Sequence, residues 1–414
     1  MGWFHLLRSW LRRQSRRQVI ATGLVSLVVV TGFVVLRLVF AGHGNASNFA
    51  LVGLPFAHGP GLPRGVVLHR RGYDGQYFLR LALDPFQLGR RAFGIGFDAP
   101  YRASRIGYPL LAWLLSGGGR PAAVPWALIA INVASMGALG AEGAILAGDA
   151  GRRRWWGLLL PGFSGLVTAV ARDTAEPLEL ACTVAAVILL RRKKPWLAGA
   201  LLVVAVLSKE TAILAVAAIA MVDLARRARA WGETKGLLAP AGNTRPSLAY
   251  LFAWLSPAVA MIGWQAVLWM TTGHFPLTSD THYNATIPLT GIRRAIVVQL
   301  HHLPALQAVG FFAEVALVAM VWGWAIAAAT SKPLAGPSRG TVWAERIAFG
   351  ANLLLALILP SGVWNSPLAA FRPLADSFVL AIVVILGSRT KLAYLSLPIA
   401  ILWGVFAAYR VLVL

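Results

Sequence analysis

The chain has one cysteine and few acidic residues, and each shortage excludes a class of protein. Cys182 cannot form a disulfide within the chain, and the sequence has no Cys/His spacing of the kind that holds a metal. Charged residues make up only 13% of the sequence, with 15 Asp and Glu against 38 Lys and Arg. A soluble domain of this length needs a more highly charged surface. The composition therefore argues against a soluble protein.

Long apolar runs occupy much of the chain instead. The longest are Val19–Phe40, Pro121–Leu146, Ala249–Met270, Pro304–Ala329 and Leu392–Leu414. A helix of about 20 residues crosses the roughly 30 Å hydrocarbon core of a bilayer, because each residue adds about 1.5 Å. With the shorter runs between them, these segments predict an all-α polytopic membrane protein of about 11 transmembrane helices. We expect a single transmembrane domain over residues 1–414.

Basic residues set the predicted orientation. Five arginines between Arg8 and Arg17 precede the first run, which is too long for the core of a secretory signal and is expected to stay as an anchor. Loops rich in Lys and Arg, such as Arg191–Lys194, are expected on the cytoplasmic side. The predicted protein therefore lies in the inner membrane, with its N-terminus on the cytoplasmic side and its C-terminus on the outer side. The first outer loop covers 42–105 and contains interfacial helices, and the second covers 271–303 and contains an amphipathic helix.

The net charge of +23 would suggest nucleic acid as the partner of a soluble protein. Here the basic inner loops account for much of the excess, and the rest can face anionic lipids or phosphate groups. We therefore expect membrane lipids as partners and no nucleic acid.

Four consecutive apolar segments are too short to cross the bilayer: 156–171, 178–190, 195–207 and 211–224. Each has about 14 apolar residues, roughly 21 Å of helix, and basic clusters hold their inner ends. Their outer turns contain Arg172, Asp173 and Glu176 in one hairpin and Lys209 and Glu210 in the other. Charge at membrane depth is costly unless it is paired or hydrated, so we predict a polar pocket that opens outward and suits a lipid phosphate.

Structural roles for these residues stay open. Asp173 and Glu176 have the spacing of a helix capping box, and Arg172 could pair with Glu176. Lys209 and Glu210 could form a simple ion pair at a helix end.

The first outer loop contains the main catalytic candidate. Asp74 precedes an amphipathic turn that is expected to present Tyr77 and Leu81 to the membrane surface, and Arg102 and Arg105 follow. Sugar transfer needs a carboxylate that takes a proton from a hydroxyl and cations that stabilise a departing phosphate. Asp74 could instead, or in addition, cap the helix after it.

Arg372, beside Pro373 at the outer start of a late helix, is a second candidate for holding phosphate. An arginine that only extends to the membrane interface is the alternative interpretation.

These residues resemble a known superfamily. The stretch Tyr73-Asp74-Gly75-Gln76-Tyr77, the later Arg105-Ile106-Gly107-Tyr108-Pro109 and the two polar hairpin turns are similar to the C-type superfamily of integral-membrane glycosyltransferases, in particular its bacterial Tyr-Asp-Gly-Gln branch. The resemblance implies that Asp74 is a general base, that the loop lies over the active site, and that basic hairpin residues hold a polyprenyl-phosphate donor. Many members have two adjacent acidic residues in this loop, whereas Asp74 stands alone.

The hypothesis is therefore an envelope glycosyltransferase that takes sugar from a polyprenyl-phosphate donor and passes it to a glycan, lipid or protein acceptor outside the membrane. Asp74 is the catalytic candidate. The substrate-binding candidates are Tyr73, Gln76, Tyr77, Arg102, Arg105, Arg172, Asp173, Glu176, Lys209, Glu210 and Arg372. No cofactor or metal is expected, although Asp173 and Glu176 could bind a divalent cation.

Three other functions stay open. A transporter or flippase of a lipid-linked saccharide would need the same phosphate pocket but no base. A membrane acyltransferase would need a reactive histidine within the membrane. A non-catalytic assembly subunit is disfavoured by charges in two hairpin turns.

Overall fold

The computed structural model describes residues 2–57, 61–234, 248–273, 275–276, 286–302, 305–334, 339–364, 371–390 and 393–413. Within these ranges the chain is mainly helical and has very little sheet. The helices are α1 Gly2–Phe40, α2 Gly75–Leu83, α3 Gly107–Leu115, α4 Val124–Asp149, α5 Ser164–Ala171, α6 Glu176–Arg191, α7 Pro195–Ser208, α8 Ile213–Thr234, α9 Leu248–Thr272, α10 Thr290–His302, α11 Ala305–Thr330, α12 Arg339–Ile358, α13 Ser361–Trp364, α14 Ala375–Leu386 and α15 Ala393–Val413. In the first loop, strand β1 Val52–Gly53 pairs in parallel with β2 Leu68–His69, and β3 Arg91–Ala92 pairs antiparallel with β4 Ile95–Gly96.

Among the described residues, five helices are long and apolar enough to cross a membrane. They are Ser15–Phe40 of α1, all of α4 and α9, Ala308–Thr330 of α11 and Thr341–Ile358 of α12. Helix α7 and the Leu395–Val405 part of α15 are apolar but shorter. The chain is therefore a multi-pass, all-α membrane protein, as predicted. The total of 11 crossings and the N-inside, C-outside orientation stay predictions, since helix length and composition do not identify the two sides.

The four short segments did not all form helices of equal length. Helices α6 and α7 have 16 and 14 residues, as predicted. The prediction was wrong for segment 156–171, where a 3-10 helix, Arg154–Leu159, precedes the eight-residue α5. Pro161 lies between them, and its ring fixes φ and removes an amide donor. It was also wrong for 211–224, because α8 has 22 residues and continues through the polar residues after 224.

Helix α2 is buried on all sides, so the prediction that its apolar face lies on the membrane surface is wrong. Tyr77 and Leu81 are 3% and 0% exposed. The helix packs against α3 and α4, and the Phe78 ring contacts the Tyr108 ring edge-on. Arg80 is also buried, and its guanidinium donates hydrogen bonds to the backbone carbonyls of Gln87, Gly89 and Arg90. An amphipathic pattern does not tell whether lipid or protein covers the apolar face.

The segment predicted as the second outer loop contains the predicted amphipathic helix, α10. Ala295 is buried and Ile292 half-buried, whereas Arg293 and Arg294 are exposed. Residues 274, 277–285 and 303 of the predicted 271–303 loop lie outside the described residues.

Helix α14 lies at the centre of the fold. All 12 of its residues are buried, with α11, α12, α4 and α6 packed around it. A 3-10 turn, Arg372–Leu374, leads into it, and Asp376 lies in its first turn. A polar side chain in this position must therefore find its partners within the protein.

At the C-terminal end of α6, Arg191 forms a bidentate ion pair with Glu345 of α12, with N–O distances of 2.8 and 2.6 Å. Both side chains are buried. The pair fixes α6 against α12.

We expect Arg191→Met to destabilise the protein by about 3 kcal/mol or more, because Glu345 is left as an uncompensated buried charge. The double variant Arg191→Met/Glu345→Met should recover most of this loss. Thermal unfolding of the full-length protein in detergent measures both effects. The exposed neighbour provides the control: Arg192→Met should change little, and an equal loss there would contradict the assignment.

Candidate functional site

Two motif glycines hold the first loop against the hairpin turns. Gly75 lies so close to the α5–α6 turn that a Cβ at this position would collide with the Arg172 carbonyl oxygen. A Cβ on Gly107, at the start of α3, would lie 2.7 Å from the Ser208 hydroxyl at the end of α7. Only glycine allows such close approach. The first loop therefore lies directly on the two turns that were predicted to end at membrane depth.

Asp74 lies where the loop meets these turns. It occupies the N-cap position of α2, but its carboxylate accepts no hydrogen bond from the helix backbone. Its Oδ1 lies 2.9 Å from Nη1 of Arg102, and its Oδ2 lies 2.6 Å from Nη2 of Arg372 and 3.8 Å from Nη1 of Arg105. We call Arg102, Arg105 and Arg372 the arginine cradle. The Asp74 side chain is 16% exposed, so the cradle is near the surface but largely shielded.

Each arginine of the cradle has a second carboxylate that orients it. Arg102 makes two hydrogen bonds to Asp98, at 2.8 and 2.9 Å. Arg105 makes two to Glu210 of the α7–α8 turn, at 2.8 and 2.5 Å. These bidentate pairs fix both position and plane of a guanidinium.

Arg372 is held less tightly by its second partner. Its Nε lies 3.6 Å from Oε1 of Glu176, which is beyond hydrogen-bond distance. Its Nε and Nη1 are buried and have no hydrogen-bond acceptor among the described residues. Arg372 therefore has donors left for a further anion.

Lys209 points into the protein rather than toward its neighbour Glu210. Its Nζ lies 2.8 Å from Oδ1 of Asp376 and 3.8 Å from Glu176. Thr211 donates to the other Asp376 oxygen at 2.6 Å. Because Glu210 pairs with Arg105, the alternative of a simple Lys209–Glu210 ion pair is wrong.

The α5–α6 turn differs from its predicted form. Asp173 is fully buried with a φ of +45°, and its carboxylate oxygens have no hydrogen-bond partner among the described residues. Helix α6 has Ala175 at its N-cap and no side-chain cap bond, so the capping-box alternative is wrong. Arg172 lies over the Tyr73 ring, 5.9 Å from its centre, and Glu176 instead approaches Lys209 and Arg372.

The remaining candidates line or support the cradle. The guanidinium of Arg372 lies 4.9 Å from the centre of the Tyr73 ring, and that of Arg102 lies 4.8 Å from the centre of the Tyr77 ring. Gln76 is turned away from the solvent, and its Oε1 accepts a hydrogen bond from the Gly53 amide. We infer that Gln76 fixes the loop, while the two tyrosines flank the arginines.

Asp376 was missed by the sequence reasoning, although a single carboxylate within an otherwise apolar helix is a recognisable signal of function in a membrane protein. Asp98, a further carboxylate of the first loop, pairs with Arg102.

The arginines determine the charge state of Asp74. Burial alone would raise its pKa, but Arg372, Arg102 and Arg105 outweigh this effect and hold the pKa of Asp74 well below its ordinary value of 3.8. The carboxylate is therefore ionised at any physiological pH.

No family model, no curated protein and no solved structure matches the chain. Among the described residues, no group of three or more His, Cys, Asp and Glu side chains is placed to hold a metal ion.

We expect Gly75→Ala to separate the loop from the α5–α6 turn, since the added methyl group collides with backbone atoms that cannot move away cheaply. The melting temperature should fall markedly. Gly89→Ala, where nothing lies within 4 Å of the new methyl group, should melt like the wild type. Equal melting of the two variants would contradict the close packing.

The pH dependence of stability should follow from the lowered pKa of Asp74. A carboxylate whose pKa falls on folding stabilises the protein above its ordinary pKa and loses this effect as the pH falls through the folded value. The melting-temperature difference between wild type and Asp74→Asn should stay constant from about pH 8 to about pH 5 and shrink only well below pH 4. A difference that disappears between pH 7 and pH 5 would show that the arginines do not hold Asp74.

Proposed function

We propose that the chain is a glycosyltransferase of the inner membrane that moves a sugar from a polyprenyl-phosphate donor to an acceptor hydroxyl on the outer face. One observation supports this most: a carboxylate lies at the point where two arginines from the end of the first loop converge with one from the turn before α14. The chemistry needs a base and several cations within one site.

The depth of the site also suits a lipid-linked donor. Helices α6 and α7 span roughly 24 and 21 Å, less than the roughly 30 Å of a bilayer core. If their Arg191–Lys194 ends lie at the inner surface, their other ends place Glu176 and Lys209 at or just below the outer headgroups. A phosphate on a membrane-bound prenyl chain reaches this level without leaving the membrane.

The proposed reaction is a single displacement with inversion. Asp74 takes the proton of the acceptor hydroxyl, and the acceptor oxygen bonds to the anomeric carbon. The bond from that carbon to the phosphate oxygen breaks, and its electron pair stays on the phosphate. The cradle stabilises the extra negative charge on the polyprenyl phosphate, so no general acid is required. Lys209 neutralises Glu176 and Asp376 behind the cradle instead of binding phosphate itself.

A transporter or flippase of a lipid-linked saccharide is the rival. It would use the cradle to hold the phosphate and would need no base, so loss of the Asp74 carboxylate would not stop it through lost proton transfer.

The test is transfer by the full-length protein in nanodiscs, supplied with a panel of radiolabelled polyprenyl-phosphate sugars. We expect the wild type to transfer or hydrolyse one of them and Asp74→Asn to be slower by roughly 10²- to 10⁴-fold, the usual contribution of a general base. Asp84→Asn is the matched control, because Asp84 is in the same loop and only accepts a hydrogen bond from the Phe86 amide. Wild-type turnover by Asp74→Asn would remove Asp74 from the role of base, and inactivity of the wild type on every donor would reject the proposal.

A further inference from the structure

Both oxygens of Asp74 are already engaged. Oδ1 accepts from Arg102 at 2.9 Å, and Oδ2 accepts from Arg372 at 2.6 Å with Arg105 at 3.8 Å. A general base must accept the proton that it removes, and ion pairs to several guanidinium groups lower the affinity of a carboxylate for a proton. In this arrangement Asp74 is a counter-ion of the cradle and not yet a base.

The cradle itself is built to hold an anion independently of Asp74. Asp98 and Glu210 fix Arg102 and Arg105 from the side away from Asp74 through bidentate pairs. The nitrogen that each arginine has left, Nη1, faces Asp74. Without an anion between them, three guanidinium groups would repel one another in a shielded site.

The donor has the same anionic pattern as Asp74. A sugar phosphodiester carries one negative charge shared by two non-bridging oxygens, as a carboxylate does. Arg372 has two further buried donors, Nε and Nη1, that contact no acceptor among the described residues. The tetrahedral phosphate can reach more donors than a planar carboxylate, and guanidinium groups bind phosphate in a bidentate manner.

We propose that the carboxylate of Asp74 and the phosphate of the lipid-linked donor compete for one anion site, the cradle of Arg102, Arg105 and Arg372. This inference rests on the proposed function. Donor binding displaces Asp74 from the arginines and leaves its oxygens free for the acceptor hydroxyl. The base therefore becomes active only when the donor is bound, and the donor must bind before the acceptor is deprotonated.

The test measures binding of polyprenyl monophosphate, which carries no sugar, to the full-length protein in nanodiscs. If Asp74 occupies the phosphate site, removing its charge increases affinity, and Asp74→Asn should bind about tenfold more tightly than the wild type. Asp84→Asn removes the same charge elsewhere in the loop and should stay within about threefold of the wild type. Adding Arg372→Gln to Asp74→Asn should abolish the gain.

Affinity in Asp74→Asn that equals or falls below the wild-type value would overturn the proposal. Inorganic phosphate, titrated in parallel, identifies the source of the anion. A gain confined to the prenyl phosphate supports a lipid donor, whereas a gain for inorganic phosphate alone overturns the lipid assignment.

A wild-type measurement keeps the proposal testable if Asp74→Asn does not fold. Binding of a polyprenyl phosphodiester, which has no titrating proton near neutrality, should be accompanied by uptake of a fraction of a proton at about pH 4, since a displaced Asp74 is no longer held ionised by the arginines and returns toward its ordinary pKa of 3.8. Calorimetry in buffers of different ionisation enthalpy measures this uptake. Binding without proton uptake would count against displacement.

The two proposals fail separately. Binding is measured without acceptor or sugar transfer, so increased affinity in a protein that transfers no sugar keeps the competition and rejects the glycosyltransferase. Normal sugar transfer without the increase in affinity keeps the glycosyltransferase and rejects the competition.

Discussion

The pairing of Asp74 with three arginines is the interaction on which the site depends. It joins the first loop to the turn before α14, which lies 298 residues further along the chain. Charge in a shielded position near the membrane must be neutralised, and here the neutralising groups come from two segments that are far apart in the sequence. The pairing therefore helps to hold the loop over the hairpin turns and completes the site.

Beyond the cradle, charges of opposite sign continue into the protein. Glu176 lies between Arg372 and Lys209, and Lys209 lies between Glu176 and Asp376. Each cation of this series has at least two carboxylate neighbours. A series of this kind is stiff, because moving one member leaves another buried charge without its partner. In the proposed reaction, this stiffness would keep the cations in place when negative charge develops on the phosphate.

Sequence reasoning recovered the helices better than the site. The long apolar runs identified α4, α9 and α11, because helix length in a membrane is dictated by bilayer thickness. It also brought Asp74 and the two hairpin turns together correctly, through charges that could not stay unpaired at depth. It did not predict which arginine meets which carboxylate, since Arg102 and Asp74 are 28 residues apart and no periodicity relates them. It misplaced Tyr77 and Leu81, because protein and lipid cover an apolar face equally well.

The three arginines create a conflict that the site must resolve. Guanidinium groups that hold Asp74 strongly make the fold secure and keep the carboxylate ionised, but they also lower its affinity for a proton. A strongly held carboxylate is a poor base, and a weakly held one leaves positive charges unbalanced in a shielded site. In the proposed competition, an incoming phosphate removes the conflict, because it supplies the charge balance that Asp74 provided and returns the carboxylate to ordinary basicity. The same contacts would then serve stability before the proposed donor binds and chemistry afterwards.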